Sequence, residues 1–98
     1  MLCYNLGMKV VKLNRRFKQF KEHGHVVALR FDNWAPECRE IEKIVEQRIG
    51  GSGWNRYGDW CSYFGKSNGH SDRRAYWITF RKESDLTLIL LSANLTPN

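Results

Sequence analysis

Apolar positions along this chain change their period several times, and each change marks an element. Near the start, Leu13, Phe17 and Phe20 recur at i, i+4 and i+7, with Arg15, Arg16, Lys18 and Lys21 between them. That spacing stacks the three apolar side chains on one helical face. Asn14 is an available N-cap and Gly24 a natural stop, so the pattern predicts a short basic amphipathic helix over 14–23, with a strand as the competing assignment. The pattern then becomes nearly continuous. Residues 25–31, with Val26, Val27, Ala28, Leu29 and Phe31, are β-rich in the manner of a central strand, and Asp32-Asn33 punctuates them.

Helical period returns after Pro36. Cys38, Ile41, Ile44, Val45 and Ile49 line one face, Pro36 suits a first turn, and Glu37 and Glu40 sit near the positive end of the helix dipole. Arg48 falls in the last turn and Gly50-Gly51 ends it, so 36–49 reads as a helix. Residues 50–74 lose any period and gather Gly50, Gly51, Gly53, Gly58, Gly65 and Gly69 among Trp54, Tyr57, Trp60, Tyr63 and Phe64. Within them 60–64 is a candidate strand, and 65–70, with Asn68-Gly69, is a turn. Strict alternation resumes at 75–81, where Tyr76, Ile78 and Phe80 share one face and Trp77 and Thr79 the other. The run Leu86-Thr87-Leu88-Ile89-Leu90-Leu91 is too uniform for periodicity to divide helix from strand. Four leucines and the acidic residues ahead of it favour a helix over 86–93, capped by Ser84 or Asp85, and the segment is expected to be buried in either form.

This order predicts an α+β fold: a small antiparallel or mixed sheet with helices packed on one face, a ferredoxin-like variant being the nearest common topology. No clear fourth strand can be placed. Ninety-eight residues make a single domain over 1–98, with 1–8 read as a disordered or upstream extension because Met8 offers a second start.

Charge sharpens this picture. Lys9, Lys12, Arg15, Arg16, Lys18, Lys21 and Arg30 face Glu22 alone in residues 1–31, which accounts for the whole formal charge of +6, while the remainder balances. Clustered cations attract polyanions and steer their association. No stretch approaches the roughly 18–20 apolar residues that span a bilayer, so no membrane role is expected. The opening residues place their basic positions after the apolar ones, the wrong order for a secretory signal. Cys3, Cys38 and Cys61 are odd in number and form no CxxC pair, as expected of cytoplasmic thiols.

Candidate chemistry is sparse. His23, His25, Cys61 and His70 lack the spacing of structural zinc sites, so neither a metal nor another cofactor is expected. His70, near Asp72, Arg73, Arg74 and Lys66, is a weak candidate for acid–base work on a phosphodiester. Trp54, Arg56, Tyr57, Trp60, Lys66, Arg73 and Arg74 mix aromatics and cations in the way that stacks bases and holds phosphates, with Arg15, Arg16 and Lys18 as a second contact. The same aromatics are the usual anchors of protein interfaces, and the apolar run 86–91 suits pairing across a two-fold axis. Residues 74–91, a strand followed by a polar break and an apolar run, resemble the final hairpin of small basic ribonuclease toxins of the bacterial toxin–antitoxin kind. The resemblance implies a metal-independent RNA-acting enzyme, covers under a fifth of the chain, and matches no catalytic residue. The leading expectation is a small, non-catalytic binding domain, of the sort common in bacterial phage and other mobile-element genes. Its partner is an unknown protein or a second copy in a homodimer, and the alternative is a nucleic-acid-binding protein or toxin-like ribonuclease.

Overall fold

A computed structural model describes residues 8–32, 36–50, 58–66 and 74–93. They form β1 (Met8–Lys12), α1 (Lys18–His23), β2 (Val27–Phe31), α2 (Pro36–Arg48), β3 (Trp60–Lys66), β4 (Arg74–Phe80) and α3 (Glu83–Ser92). The four strands make one sheet in the order β1-β2-β4-β3, antiparallel at every junction. The expected α+β class, with a small antiparallel sheet, is therefore the one the chain adopts. Its element order, β-α-β-α-β-β-α, differs from the β-α-β-β-α-β ferredoxin-like arrangement.

Alternation along the strands gives the sheet two unlike faces. On one, Val27, Leu29 and Phe31 of β2, Tyr76, Ile78 and Phe80 of β4 and Trp60 of β3 meet Cys38, Ile41 and Val45 of α2 and Leu86 and Ile89 of α3. Phe31, Cys38, Val45, Ile78, Phe80 and Ile89 are sealed from solvent completely. Tyr76 keeps its hydroxyl satisfied at the margin by donating to Glu42 on α2. On the opposite face Ala28, Ala75, Trp77 and Leu13 form a smaller cluster, covered by Phe17 and Phe20 from the α1 side. Two helices thus pack on one face, as expected, and α1 packs alone on the other.

Several boundaries move for identifiable reasons. Asn14 does not cap α1: its Oδ1 accepts the Arg16 amide at 2.9 Å and closes a separate turn, and the helix starts only at Lys18. Gly24 ends it in the left-handed region at φ 70°, a conformation glycine adopts without strain. Gly50, at φ 66°, does the same after α2. The ambiguous apolar run is helical, with Lys82 rather than Ser84 or Asp85 preceding its first turn. This removes the resemblance to a toxin hairpin, because the apolar run that would form its second strand is helical. The run is also not wholly buried: Leu86 and Ile89 point inward, whereas Leu88 and Leu91 are exposed, Leu91 at 76%.

The strand that sequence patterning did not place is β1. Of the expected extension, 1–7 lie outside the described residues, while Met8 is buried and opens β1 opposite Phe31. β3 runs through Gly65 and Lys66, two residues expected in a turn; the rest of that turn, 67–70, lies outside the described residues.

Candidate functional site

The register of the sheet assembles a row that no single strand displays. Lys9 of β1 pairs with Arg30 of β2, Arg30 with Trp77 of β4, and Trp77 with Tyr63 of β3. Directly paired residues project to the same side of a sheet, so two cations and two aromatics cross it on the α1 side. The Arg30 guanidinium carbon lies 6.0 Å from the Trp77 ring centroid, within cation–π range, while its Nε donates to Asp32 at 3.1 Å. Tyr63 lies parallel to Trp77, 4° between the planes and 6.2 Å between centroids, an offset stack. Phe17 completes the cluster edge-on to Trp77 at 6.0 Å.

Gly65 makes this arrangement sterically feasible. A Cβ there would stand 3.0 Å from Cε2 of Tyr63, so the missing side chain is what lets the tyrosine ring lie back along its own strand. Between the sheet and α1 the same residues border a cleft of about 310 Å³. Tyr63, Gly65 and Trp77 form its sheet side; Arg16, Phe17, Lys18 and Gln19 form the other. Lys9, Lys12, Arg15, Arg16, Lys18 and Lys21 are all exposed. The indole N–H of Trp77 is buried and has no hydrogen-bond partner among the described residues.

One histidine is built into the edge of this face. His25 is buried, with Nδ1 2.7 Å from the Thr79 hydroxyl and Nε2 2.8 Å from the Gly58 carbonyl. A carbonyl only accepts, so Nε2 carries the proton of the neutral ring and Nδ1 accepts from Thr79. Burial lowers the pKa of His25, the Gly58 carbonyl opposes that shift, Arg81 and His23 add to it, and Asp59 works against it. Both ring nitrogens are committed to the fold, so His25 acts as a structural crosslink between β4 and the segment before β3.

The residues singled out from sequence scatter. Trp54, Arg56, Tyr57, His70 and Arg73 lie outside the described residues. Trp60 is a correction: it is 1% exposed in the sheet–helix core and its indole donates to the Gly50 carbonyl at 2.7 Å, so it offers no binding surface. Lys66 and Arg74 are register partners at the end of the β3–β4 pair where the chain passes from one strand to the other. Arg15, Arg16 and Lys18 gather at the start of α1, and Arg16 and Lys18 reach the cleft. Lys9, Arg30 and Trp77 went unselected because only the register shows that they share a row with Tyr63. The missed signal was the wrong-faced Trp77: a bulky ring on the side of β4 away from its apolar partners needs a second cover. Among the described residues no group of three or more His, Cys, Asp or Glu is placed to hold a metal ion, and no helix is long and apolar enough to cross a membrane. A scan of family models finds no match for this chain, and searches of curated proteins and of solved structures find none either.

Proposed function

We propose that this chain is a non-catalytic binding domain that holds an anionic partner on the α1 side of its sheet. The observation that carries the reading is the cross-strand row Lys9–Arg30–Trp77–Tyr63 beside a cleft bordered by Arg16 and Lys18. Like charges directly opposite in an antiparallel pair destabilise it, by a few tenths to about 1 kcal/mol. Lys9 and Arg30 stand in that relation. Arg16 and Lys18 likewise sit beside the start of a helix whose first turn has no acidic residue, where the dipole disfavours cations. A sequence kept only for folding gains nothing from either placement, whereas a surface for anions gains from both. The reading assigns the protein to the cytoplasm, where the buried thiols of Cys38 and Cys61 persist unbridged.

Retention on an anionic matrix tests it. Arg16→Glu with Lys18→Glu should abolish salt-sensitive retention. Arg39→Glu with Lys43→Glu, on exposed positions of α2, changes net charge equally and should preserve most of it. Equal loss in both pairs would show that bulk charge, not this face, is responsible.

Self-association is the second reading, favoured by Leu88 and Leu91, exposed three residues apart on α3. A mass that falls to the monomer in Leu88→Lys with Leu91→Lys supports it, and a concentration-independent monomer of the unaltered chain excludes it.

A further inference from the structure

We infer that the ligand of the α1 face is a single-stranded nucleic acid, one nucleotide of which enters the cleft with its base against Tyr63 and its phosphates near Arg16 and Lys18. The inference rests on the binding role proposed above and names the chemistry of its ligand. Size comes first. A cleft of about 310 Å³ lies at the lower end of small-ligand sites, roughly 300–1,000 Å³, the scale of a single nucleotide. A duplex keeps its bases stacked inside and cannot present a base face to such a cleft, whereas a single strand splays them out.

The nature of the wall comes second. Tyr63 is half-buried, with its ring parallel to that of Trp77, and it borders the cleft together with Gly65. Its parallel alignment with Trp77 and its support from the Phe17–Trp77 contact fix the ring before any ligand arrives. A preset aromatic surface loses little freedom on stacking. Charge comes third. The row runs from the cleft past Arg30, 15% exposed, to the exposed Lys9, so a backbone leaving the cleft across the sheet meets a further cation at Lys9. Asp32 on Arg30 moderates that track at one point. An acidic polypeptide would use the cations but has no flat π-face for Tyr63. The combination therefore favours nucleic acid over protein.

The test measures binding of the full chain by fluorescence anisotropy to labelled single-stranded RNA and DNA of one sequence, to the matching duplex, and to poly-glutamate. Each is titrated at about 50 mM and about 200 mM salt. The single strands should bind at least tenfold more tightly than the duplex or the polypeptide, and the RNA and DNA arms report which sugar is preferred. Tyr63→Leu should weaken single-strand binding by about 5- to 150-fold with the salt slope unchanged, as for loss of one stacked base. Tyr63→Phe, which keeps the ring and the packing on Trp77, should retain it. Arg16→Ala should instead reduce the salt slope by about one, without altering the preference for single strands. Single strand, duplex and poly-glutamate binding equally, with Tyr63→Leu without effect, would overturn the nucleotide assignment while leaving the anion-binding face intact. Absence of binding to every probe at low salt would overturn both.

Discussion

The two faces of the sheet are built to different standards. Against α2 and α3 the strands present an apolar surface of Val27, Leu29, Phe31, Tyr76, Ile78 and Phe80, nearly all sealed. Against α1 they present Ala28, Ala75, Trp77 and Thr79, with Lys9 and Arg30 carried across the same side. The cover also differs. α2 is 13 residues long and carries its own apolar stripe, whereas α1 has six residues, too few to be stable without tertiary support. Phe17 and Phe20 supply that support. The first face gathers most of the stabilising burial. The second carries an opposed pair of cations, a buried histidine and an indole N–H without a partner among the described residues. One exception lies on the first side, where the Ser62 hydroxyl is buried without a partner among the described residues. Placements that cost stability thus gather mainly on the α1 side, where the proposed binding face lies.

Substitution in the deep core gives the largest contrast. Phe31→Ala removes a fully sealed ring and should lower unfolding free energy by about 3–5 kcal/mol, read by urea denaturation. Phe17→Ala, on the opposite face, removes a partly buried ring and should cost about 1–2 kcal/mol. A cost as large as that of Phe31→Ala would erase the distinction between the faces.

Acid should act through the α1 side. The folded-state pKa of His25 lies below its ordinary 6.5, so the native fold holds the neutral ring while the unfolded chain takes up a proton first. Its contribution to stability is therefore complete above pH 6.5 and is lost as pH falls from there through the lowered folded-state value. In His25→Gln the slope of unfolding free energy against pH over that window should flatten. An unchanged slope would show that other groups set it.

The smallest effect carries the opposite sign. Lys9→Thr relieves the repulsion with Arg30 and should raise stability by a few tenths of a kcal/mol, measured as a shift in the denaturation midpoint, while weakening retention on an anionic matrix. Ser62→Ala, which deletes a buried hydroxyl without a partner among the described residues, should be neutral or slightly stabilising and leave retention alone. If Lys9→Thr destabilised the chain, the case that this row is retained for binding would weaken.

Local pattern was sufficient wherever an element carried its own periodicity or punctuation. The stripe Cys38, Ile41 and Val45 with Pro36 ahead and Gly50 behind marks α2 to within a residue, because amphipathic spacing and end signals act on the chain itself. The alternation of Tyr76, Ile78 and Phe80 likewise marks β4, and Gly24 marks the end of α1. The clustering of cations ahead of Phe31 is also a property of the chain alone.

Tertiary structure decided the rest, because those features depend on partners far along the chain. Met8–Lys12, in which Val10 and Val11 break the alternation, does not declare itself and becomes a strand by pairing with β2. The uniform run after Asp85 becomes a helix because α2 and the sheet offer it one side to bury on, leaving Leu88 and Leu91 outside. Trp60 and Tyr63 are similar as sequence, yet the pleat sends Trp60 into the core and Tyr63 to the cleft. A one-residue change of register would exchange them, and side-chain identity alone does not set that register.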